Sequence, residues 1–251
     1  MPSAVRPATS GNAAAADPSP GCSLCPRLAA FRQATRAEHP DWFNAPVPTF
    51  GDADARLLIV GLAPGLRGAN RTGRPFTGDF AGDLLYETLL GCGLAEGTYA
   101  QRADDGLRLI GCAITNAVRC VPPQNKPTPV EIAACRPHLS ATIAALPKLQ
   151  AVVALGRIAH DSVVRALGRK LAELPFGHGR EHVLAEDDGT HLRLFDSYHC
   201  SRYNTNTGVL TAAMFRAIFE TVCARIAIQA PVGAFSARID SSDREENTQN
   251  Q

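Results

Sequence analysis

Four apolar runs of seven to ten residues punctuate the chain, and longer segments with helical spacing separate them. Runs this short, rich in Val, Ile, Leu and Ala and followed by Gly, Asn or other polar residues, predict buried strands. The predicted strands cover residues 56–63, 107–116, 150–156 and 191–198.

The segments between and after these runs repeat apolar residues three and four positions apart, which predicts helices with one buried face. The clearest helix start is Thr128, an N-cap residue followed by Pro129 at the first helical position and by Glu131, which completes a capping box. The predicted helices cover residues 82–94, 129 to about 146, the segment from the third strand to about 167, and 210–228.

This alternation of strands and helices predicts an α/β fold, with a parallel sheet covered by helices on both faces. In such sheets ligands bind beyond the carboxyl ends of the strands. The ends of the four predicted strands are residues 61–65, 116–120, 156–157 and 199–204, and the unusual residues of the chain lie there.

The length of 251 residues and the hydrophobic fraction of 45% suit one domain, which we place at residues 21–230. Residues 1–20 and 231–251 lack apolar periodicity and predict disordered tails. With no run long enough to span a bilayer and no secretory signal at the N-terminus, we expect a cytoplasmic monomer without a membrane partner. The net charge of +1 means that any nucleic-acid surface must be a local patch.

Four of the eight cysteines have the spacing of a metal site, because one pair forms C-x2-C and the other pair flanks a proline-rich loop. In the reducing cytosol a metal site is a better interpretation than disulfides. Zinc and an iron–sulfur cluster both take four cysteines, so spacing alone leaves both open. The four candidates are Cys22, Cys25, Cys120 and Cys135.

Residues 61–83 form a glycine-rich stretch that follows the first predicted strand and matches neither the P-loop nor the dinucleotide fingerprint. Phe76 stands within it either as a core residue or as a stacking platform for a planar ligand, and Arg67, Arg71 and Arg74 add local positive charge. His199 directly follows the fourth strand and precedes small polar residues, which is typical of an active-site loop.

Taken together, these motifs resemble the iron–sulfur uracil-DNA glycosylases of the type-b class, or family 5. The shared stretches, in order from residue 22 to residue 228, are the C-x2-C, GLAPG, GANRTGRPFTGD, VPPQNKPTP between the second cysteine pair, ALGRIA and SYHCSRYNTNTG. The resemblance implies a three-layer α/β/α fold with a central four-stranded parallel sheet. It also implies a 4Fe–4S cluster on the four cysteines, away from the chemistry.

The same resemblance implies an enzyme of base excision repair that hydrolyses the N-glycosidic bond of uracil in DNA and leaves an abasic site. Members of the class are similar in accepting other deaminated bases, including hypoxanthine and xanthine. By position, the catalytic residues would be Asp79, Asn125 and His199.

The substrate pocket implied by the resemblance contains Phe76, stacked on the base, and Asn116, which aligns with a base-recognising Asn of the related type-a enzymes. Gly61 and Ala63 would complete it. On the DNA side we expect Arg157 and Lys126 to contact phosphates, and Arg202 and Asn204 to press into the duplex.

Two positions depart from the wider superfamily. Ala63 stands where many uracil-DNA glycosylases carry Asp, Asn or Glu, a feature that type-b enzymes share. Cys200 stands where the superfamily often has Pro after the His, which puts the rigidity of that loop in question.

Three other interpretations compete with this one. One is an iron–sulfur protein that binds nucleic acid without cleaving a bond, and another is a zinc-stabilised α/β domain that binds a nucleotide at the glycine-rich loop. The third is a relative that crosslinks to abasic sites, which would need a Lys- and Arg-rich insertion before His199 that the chain lacks.

Overall fold

The computed structural model describes residues 16–185 and 191–226. Eight strands are described: β1 (Phe50–Gly51), β2 (Leu57–Gly61), β3 (Ala95–Glu96), β4 (Arg108–Leu109), β5 (Cys112–Asn116), β6 (Ala151–Leu155), β7 (Glu181–Ala185) and β8 (His191–Ser197). The helices are α1 (Pro26–Glu38), α2 (Ala69–Thr72), α3 (Phe80–Gly91), α4 (Pro129–Ala144), α5 (Arg157–Ala166), α6 (Arg202–Asn206) and α7 (Ala212–Ile226). In these two segments, no helix combines the length and apolarity that crossing a membrane requires.

Six of the strands form one sheet in the order β1-β5-β2-β6-β8-β7. The four central strands, β5, β2, β6 and β8, are parallel to one another and correspond to the four predicted strands. Residues alternate between the two faces of the sheet, so Ile59 of β2 lies between Ile114 and Val153 on one face.

The three-layer α/β/α prediction is confirmed, because helices cover both faces of this sheet. On one face Leu57 and Ile59 pack in a core with residues of α3 and α7, among them Leu85 and Phe215. On the other face Leu58 and Val60 pack with α4 and α5, among them Leu139 and Val163. Because the four central strands are parallel, their carboxyl ends lie at the same edge of the sheet.

The predicted count of four strands is corrected to a mixed sheet of six. Antiparallel β1 and β7 extend the parallel centre at its two edges. The two residues of β1 are too few to show periodicity, and polar Glu181 and His182 masked β7 from a search for apolar runs. The predicted strand 107–116 also divides, because Gly111 adopts a φ of 61° between β4 and β5.

The predicted N-terminal tail, residues 1–20, includes residues at its C-terminal end that pack against the domain. Residues 1–15 lie outside the described part of the chain, but Asp17 is ordered against the domain. Its carboxylate accepts hydrogen bonds from the Thr49 amide and from Arg119, whose Nη1 lies 2.6 Å away with both side chains less than 10% exposed. Composition indicated a tail, whereas one buried ion pair anchors this residue. The predicted C-terminal tail, 231–251, lies outside the described residues, as do residues 227–228 of the last predicted helix.

Helix α1 was missed by the sequence analysis. It buries only Leu28, Arg32 and Thr35, a stripe too narrow and too polar to give an amphipathic signal. Pro26 occupies its first turn directly after Cys25, so the helix starts at the second cysteine of the C-x2-C. The capping box of α4 is confirmed: the Thr128 side chain accepts from the Glu131 amide and Glu131 accepts from the Thr128 amide.

Candidate active site

One cavity of about 320 Å³ opens where β2, β5 and β8 end at the sheet edge. The loops after these three strands, which are far apart in sequence, meet around it. Of the predicted site residues, the ones that line it are Ala63, Phe76, Asp79, Asn116, Asn125 and His199.

Asp79 is held by the start of α3, for which it is the N-cap residue. Its Oδ1 accepts a hydrogen bond of 3.1 Å from the Gly82 amide. Burial raises the pKa of this carboxyl above the usual range, and neighbouring Asp83 raises it further, while the amide bond to Gly82 works in the opposite direction. The carboxylate is therefore fixed in direction and only partly stabilised in its charged form.

Two glycines make room for the other oxygen of Asp79. A Cβ atom on Gly68 would lie 2.4 Å from Oδ2, and one on Gly65 would lie 3.0 Å from the same oxygen. The glycine-rich loop thus lets the backbone approach the carboxylate more closely than any side-chain-bearing residue would permit.

Phe76 has a strained backbone that directs its ring into the cavity. Its φ of 53° lies in the left-handed region, which is costly for an aromatic residue. The ring is 6.0 Å from that of His199, with 30° between the planes. Gly61 does not line the cavity; a Cβ there would lie 2.5 Å from both Phe76 Cζ and Asn116 Oδ1, so its role is to let these two side chains in.

Arg74 anchors the loop that carries Phe76, although the sequence analysis counted it as local positive charge. The Arg74 guanidinium is buried, pairs with Asp105 at 2.8 Å and lies 5.3 Å from the centroid of Tyr86. Nothing in the sequence marks this arginine as different from Arg67 and Arg71, which precede it.

Asn116 ends β5 and is 3% exposed. Its Oδ1 is buried and has no hydrogen-bond partner among the described residues. Buried acceptors are nearly always paired in native proteins, and Asn116 lines the cavity, so its side-chain amide is a candidate partner for a ligand bound there.

Asn125 reaches the cavity from a 3-10 turn (Pro123–Asn125) between β5 and α4. Gln124 and Asn125 both have left-handed φ values, 56° and 57°, so the turn is sharply bent. Arg27 of α1 holds this turn from behind: its Nη2 donates to the Lys126 carbonyl at 3.1 Å and to Glu131 Oε2 at 2.7 Å.

His199 follows β8, and its ring nitrogens have no hydrogen-bond partner among residues 16–185 and 191–226. Burial lowers the pKa of this imidazole, so the ring is neutral near pH 7. Two contacts hold the loop around Cys200: Asn204 Nδ2 donates to the His199 carbonyl at 2.8 Å, and the fully buried Cys200 thiol lies 3.4 Å from the Ala81 carbonyl.

The predicted DNA-contacting residues flank the cavity and do not line it. Arg157 and Arg202 are exposed, with their guanidinium carbons 5.0 Å above Phe176 and 5.2 Å above Phe80. Tyr203, which the sequence analysis did not single out, is 75% exposed beside Arg202. An aromatic residue among small polar residues was the available signal.

The four cysteines converge on a separate small cavity between α1 and the middle of α4, with Leu28 and Val118 beside them. Burial, together with the neighbouring thiols, raises the pKa of Cys120 to about 12. In the described part of the chain, no three of the four sulfurs lie within 4.8 Å of one another. Thiolates around one zinc ion at about 2.3 Å would lie within about 4 Å of each other, so the spacing fits a group larger than a single ion.

Comparison with known proteins agrees with this geometry. The family model described as "Uracil DNA glycosylase superfamily" matches residues 48–223. The chain is 48% identical over 201 residues to a type-5 uracil-DNA glycosylase of Thermus thermophilus, covering 77% of this chain and 89% of that protein. It is 39% identical to the type-5 enzyme of Pyrobaculum aerophilum, over 81% of this chain and 88% of that one. A type-4 uracil-DNA glycosylase of the same organism is 36% identical over 61% of this chain and 70% of its own length. The chain therefore belongs to the uracil DNA glycosylase superfamily, among the type-5 uracil-DNA glycosylases.

Proposed function

We propose that the chain hydrolyses the N-glycosidic bond of uracil in DNA and leaves an abasic site, as a base excision repair enzyme. The observation that carries this is the meeting of Asp79, Asn116, Asn125 and His199 around one cavity walled by the Phe76 ring. A carboxylate, two amides and a neutral imidazole around an aromatic wall suit a planar, neutral base that leaves as an anion.

The target nucleotide must leave the duplex stack to reach this cavity, which costs a few kcal/mol. The base then stacks on Phe76, and its N3–H donates to the unpaired Asn116 Oδ1. Cytosine has no proton at N3, so it cannot make this hydrogen bond. Asn116 thus selects uracil over the undamaged base.

Bond breakage places positive charge on the sugar and negative charge on the departing base. The neutral His199 imidazole donates a hydrogen bond to a base carbonyl and stabilises the anion. Ionised Asp79, whose direction the Gly82 amide fixes, stabilises the cationic sugar. Asn125 positions the attacking water, because Ala63 has no polar atom to do so.

Hypoxanthine and xanthine are proposed as further substrates. Each presents an N–H next to a carbonyl on the six-membered ring, the same donor–acceptor edge that uracil offers to Asn116. The cavity of about 320 Å³ admits the larger bicyclic bases.

We propose that Cys22, Cys25, Cys120 and Cys135 hold a 4Fe–4S cluster. When bound, such a cluster supplies a rigid covalent junction between segments, and no step of the base chemistry is assigned to it. The wide spacing of the four sulfurs supports a cluster over zinc.

Purified protein should be brown with absorbance near 400 nm; a colourless protein with one zinc per chain would contradict the proposal. Replacing Cys120 by Ser should lower the melting temperature as well as the absorbance, since the cluster would join α1 to the segment before Asn125.

The DNA-facing side is proposed to combine Arg157 and Lys126 with Arg202 and Tyr203. The Arg202 and Tyr203 side chains are exposed, which supports a role in filling the space that the flipped nucleotide leaves. Asn204, expected to share that role, instead uses its amide to hold the His199 carbonyl, so we assign it a positioning role. Cytoplasmic location and a monomeric state stay predictions.

The test is release of uracil from an oligonucleotide, detected as strand cleavage after alkali. Wild type should cleave, whereas Asp79→Asn and His199→Ala should each lose at least about 100-fold in single-turnover rate. Absence of abasic product from wild type, or full rate in both variants, would contradict the assignment. A cluster-containing protein with no base release would favour the non-catalytic alternative.

A further inference from the structure

A second cleft of about 370 Å³ lies beside the base cavity and shares Leu62 and His199 with it. Its walls are the start of α5 on one side and the half-buried rings of Phe176 and Tyr198 on the other. A DNA strand whose target nucleotide occupies the base cavity would bring a neighbouring nucleotide to this cleft, because the two are contiguous.

Arg157 stands at this cleft in an arrangement that a simple phosphate contact does not require. Its guanidinium carbon lies 5.0 Å above the Phe176 ring, while the residue itself is exposed. No carboxylate pairs with Arg157 within the part of the chain that the structure describes. Cation–π attraction thus holds a planar group over an aromatic ring with its other side open to a ligand.

The Phe176 ring is itself fixed by a buried polar network. His160 Nε2 donates to the Leu174 carbonyl at 2.8 Å, and its Nδ1 lies 2.6 Å from Asp196 Oδ1. Because a carbonyl only accepts, Nε2 carries a proton, and both ring nitrogens of His160 have a partner in this network, one of them fully buried Asp196. Asp196 Oδ2 also accepts from the Gly177 amide at 3.1 Å, so both sides of Phe176 are tied to this pair.

The same hydrogen bonds occupy the atoms that would otherwise bind a metal ion at this cluster. His160, His182 and Asp196 have ligand atoms close enough for one ion. Both nitrogens of His160 already have hydrogen-bond partners, however, and His182 Nε2 is 3.2 Å from Asp196 Oδ2. The cluster therefore acts as the support of the Phe176 segment.

We propose that Arg157, held over Phe176, is a stacking platform for the base of the nucleotide next to the target nucleotide in the same strand. The inference rests on the proposed function and deepens it, because it makes an unpaired neighbouring nucleotide part of the substrate. Bases stack on guanidinium planes and aromatic rings whatever their identity, so the platform contributes affinity without sequence preference.

The experiment uses single-stranded oligonucleotides with one uracil, in which the nucleotide on its 5′ or its 3′ side is replaced by an alkali-stable tetrahydrofuran abasic analogue that keeps the phosphate. Wild type should lose about 5- to 100-fold in kcat/KM with the abasic neighbour on one of the two sides. Arg157→Lys keeps the charge and loses the plane. It should lower activity on normal DNA by a similar factor and make the enzyme indifferent to the missing base. Arg225→Lys, an exposed change on α7, is the matched control and should keep the wild-type ratio.

A second readout does not depend on catalysis. 2-Aminopurine placed beside a non-hydrolysable 2′-fluoro-deoxyuridine should be quenched on binding to wild type and remain bright with Arg157→Lys or Phe176→Leu. Equal rates with abasic and normal neighbours on both sides, or an unchanged ratio in Arg157→Lys, would overturn the platform while leaving uracil release intact. If wild type releases no uracil at all, the proposed function fails, and the fluorescence still decides whether the platform exists.

Discussion

Arg74 and Asp105 form a two-pronged ion pair behind the base cavity, with each nitrogen–oxygen distance 2.8 Å and both side chains 1% exposed. The remaining capacity of Asp105 is used by the amides of Ala100 and Leu107. Arg74 is two residues from Phe76, so this pair fixes the strained loop that directs the ring into the cavity.

Replacing Asp105 by Asn should destabilise the fold by about 3–5 kcal/mol, because it leaves a buried guanidinium without its counter-charge. Chemical denaturation measures the free energy of unfolding. Asp104→Asn is the matched control: it breaks the adjacent but exposed pair with Arg102 and should cause no measurable change. Equal destabilisation by both substitutions would contradict the assignment of Arg74 as an anchor.

The Arg74–Asp105 pair also makes the stability of the fold depend on pH. Burial alone would raise the pKa of Asp105. The hydrogen bonds that Asp105 accepts from Arg74 and from the Ala100 and Leu107 amides outweigh this effect and hold the pKa well below the ordinary value. A depressed carboxyl pKa contributes stability that is fully present above the unfolded value, about 3.9, and is lost as the pH falls. Asp105→Asn should therefore flatten the acid side of the stability profile.

The sequence predicted the parallel centre of the sheet, because β2, β5, β6 and β8 are buried apolar runs whose signal is local. The pocket residues were identified through a resemblance and through their places at strand ends. The roles of residues whose partners are distant in the sequence could not be predicted. Asp17 and Arg74 are each defined by one ion pair with a residue 31 or more positions away, and no local pattern announces such a pair.

Gly68 offers a test of how Asp79 is held. A methyl group there would lie 2.4 Å from Asp79 Oδ2, which is too close to be tolerated without movement of the carboxylate. Gly68→Ala should reduce the single-turnover rate of uracil release by about 10- to 100-fold, since displacement of a catalytic group by about 1 Å has effects of this size.

The control for Gly68→Ala is Gly21→Ala, because a Cβ on Gly21 meets nothing within 4 Å and its backbone is not in the left-handed region. That variant should keep the wild-type rate. If Gly68→Ala also kept it, with an unchanged melting temperature, the close approach of the loop to Asp79 would have no catalytic meaning.

The pH dependence of the rate should show that Asp79 acts as a carboxylate and His199 as a neutral ring. Burial raises the pKa of Asp79 and lowers that of His199, and each group reaches the form assigned to it by losing a proton as the pH rises. Single-turnover rates should therefore climb from acid pH with a midpoint above that of an ordinary carboxyl, about 3.9, and reach a plateau near neutrality.

Asp83→Asn sharpens this measurement, because the Asp83 charge raises the pKa of Asp79. Its removal should move the acid midpoint to lower pH and leave the plateau rate nearly unchanged. A rate that declines between pH 6 and pH 8 would contradict the model, since it would mean that protonated His199 is the active form.

Arg27 connects α1, which starts directly after Cys25, to the 3-10 turn that carries Asn125. It belongs neither to the cysteine site nor to the base cavity. Its guanidinium pairs with Glu131 and donates to the Lys126 carbonyl, one residue after Asn125. Arg27→Met should lower the single-turnover rate several-fold, because Asn125 loses the support of its turn, while visible absorbance from a bound cluster stays at the wild-type level.

Lys148→Met, which breaks an exposed pair with Asp54, is the control and should change neither property. If Arg27→Met lost rate and absorbance together, Arg27 would be acting on the cysteine site itself. An unchanged rate would mean that the turn carrying Asn125 needs no support from α1.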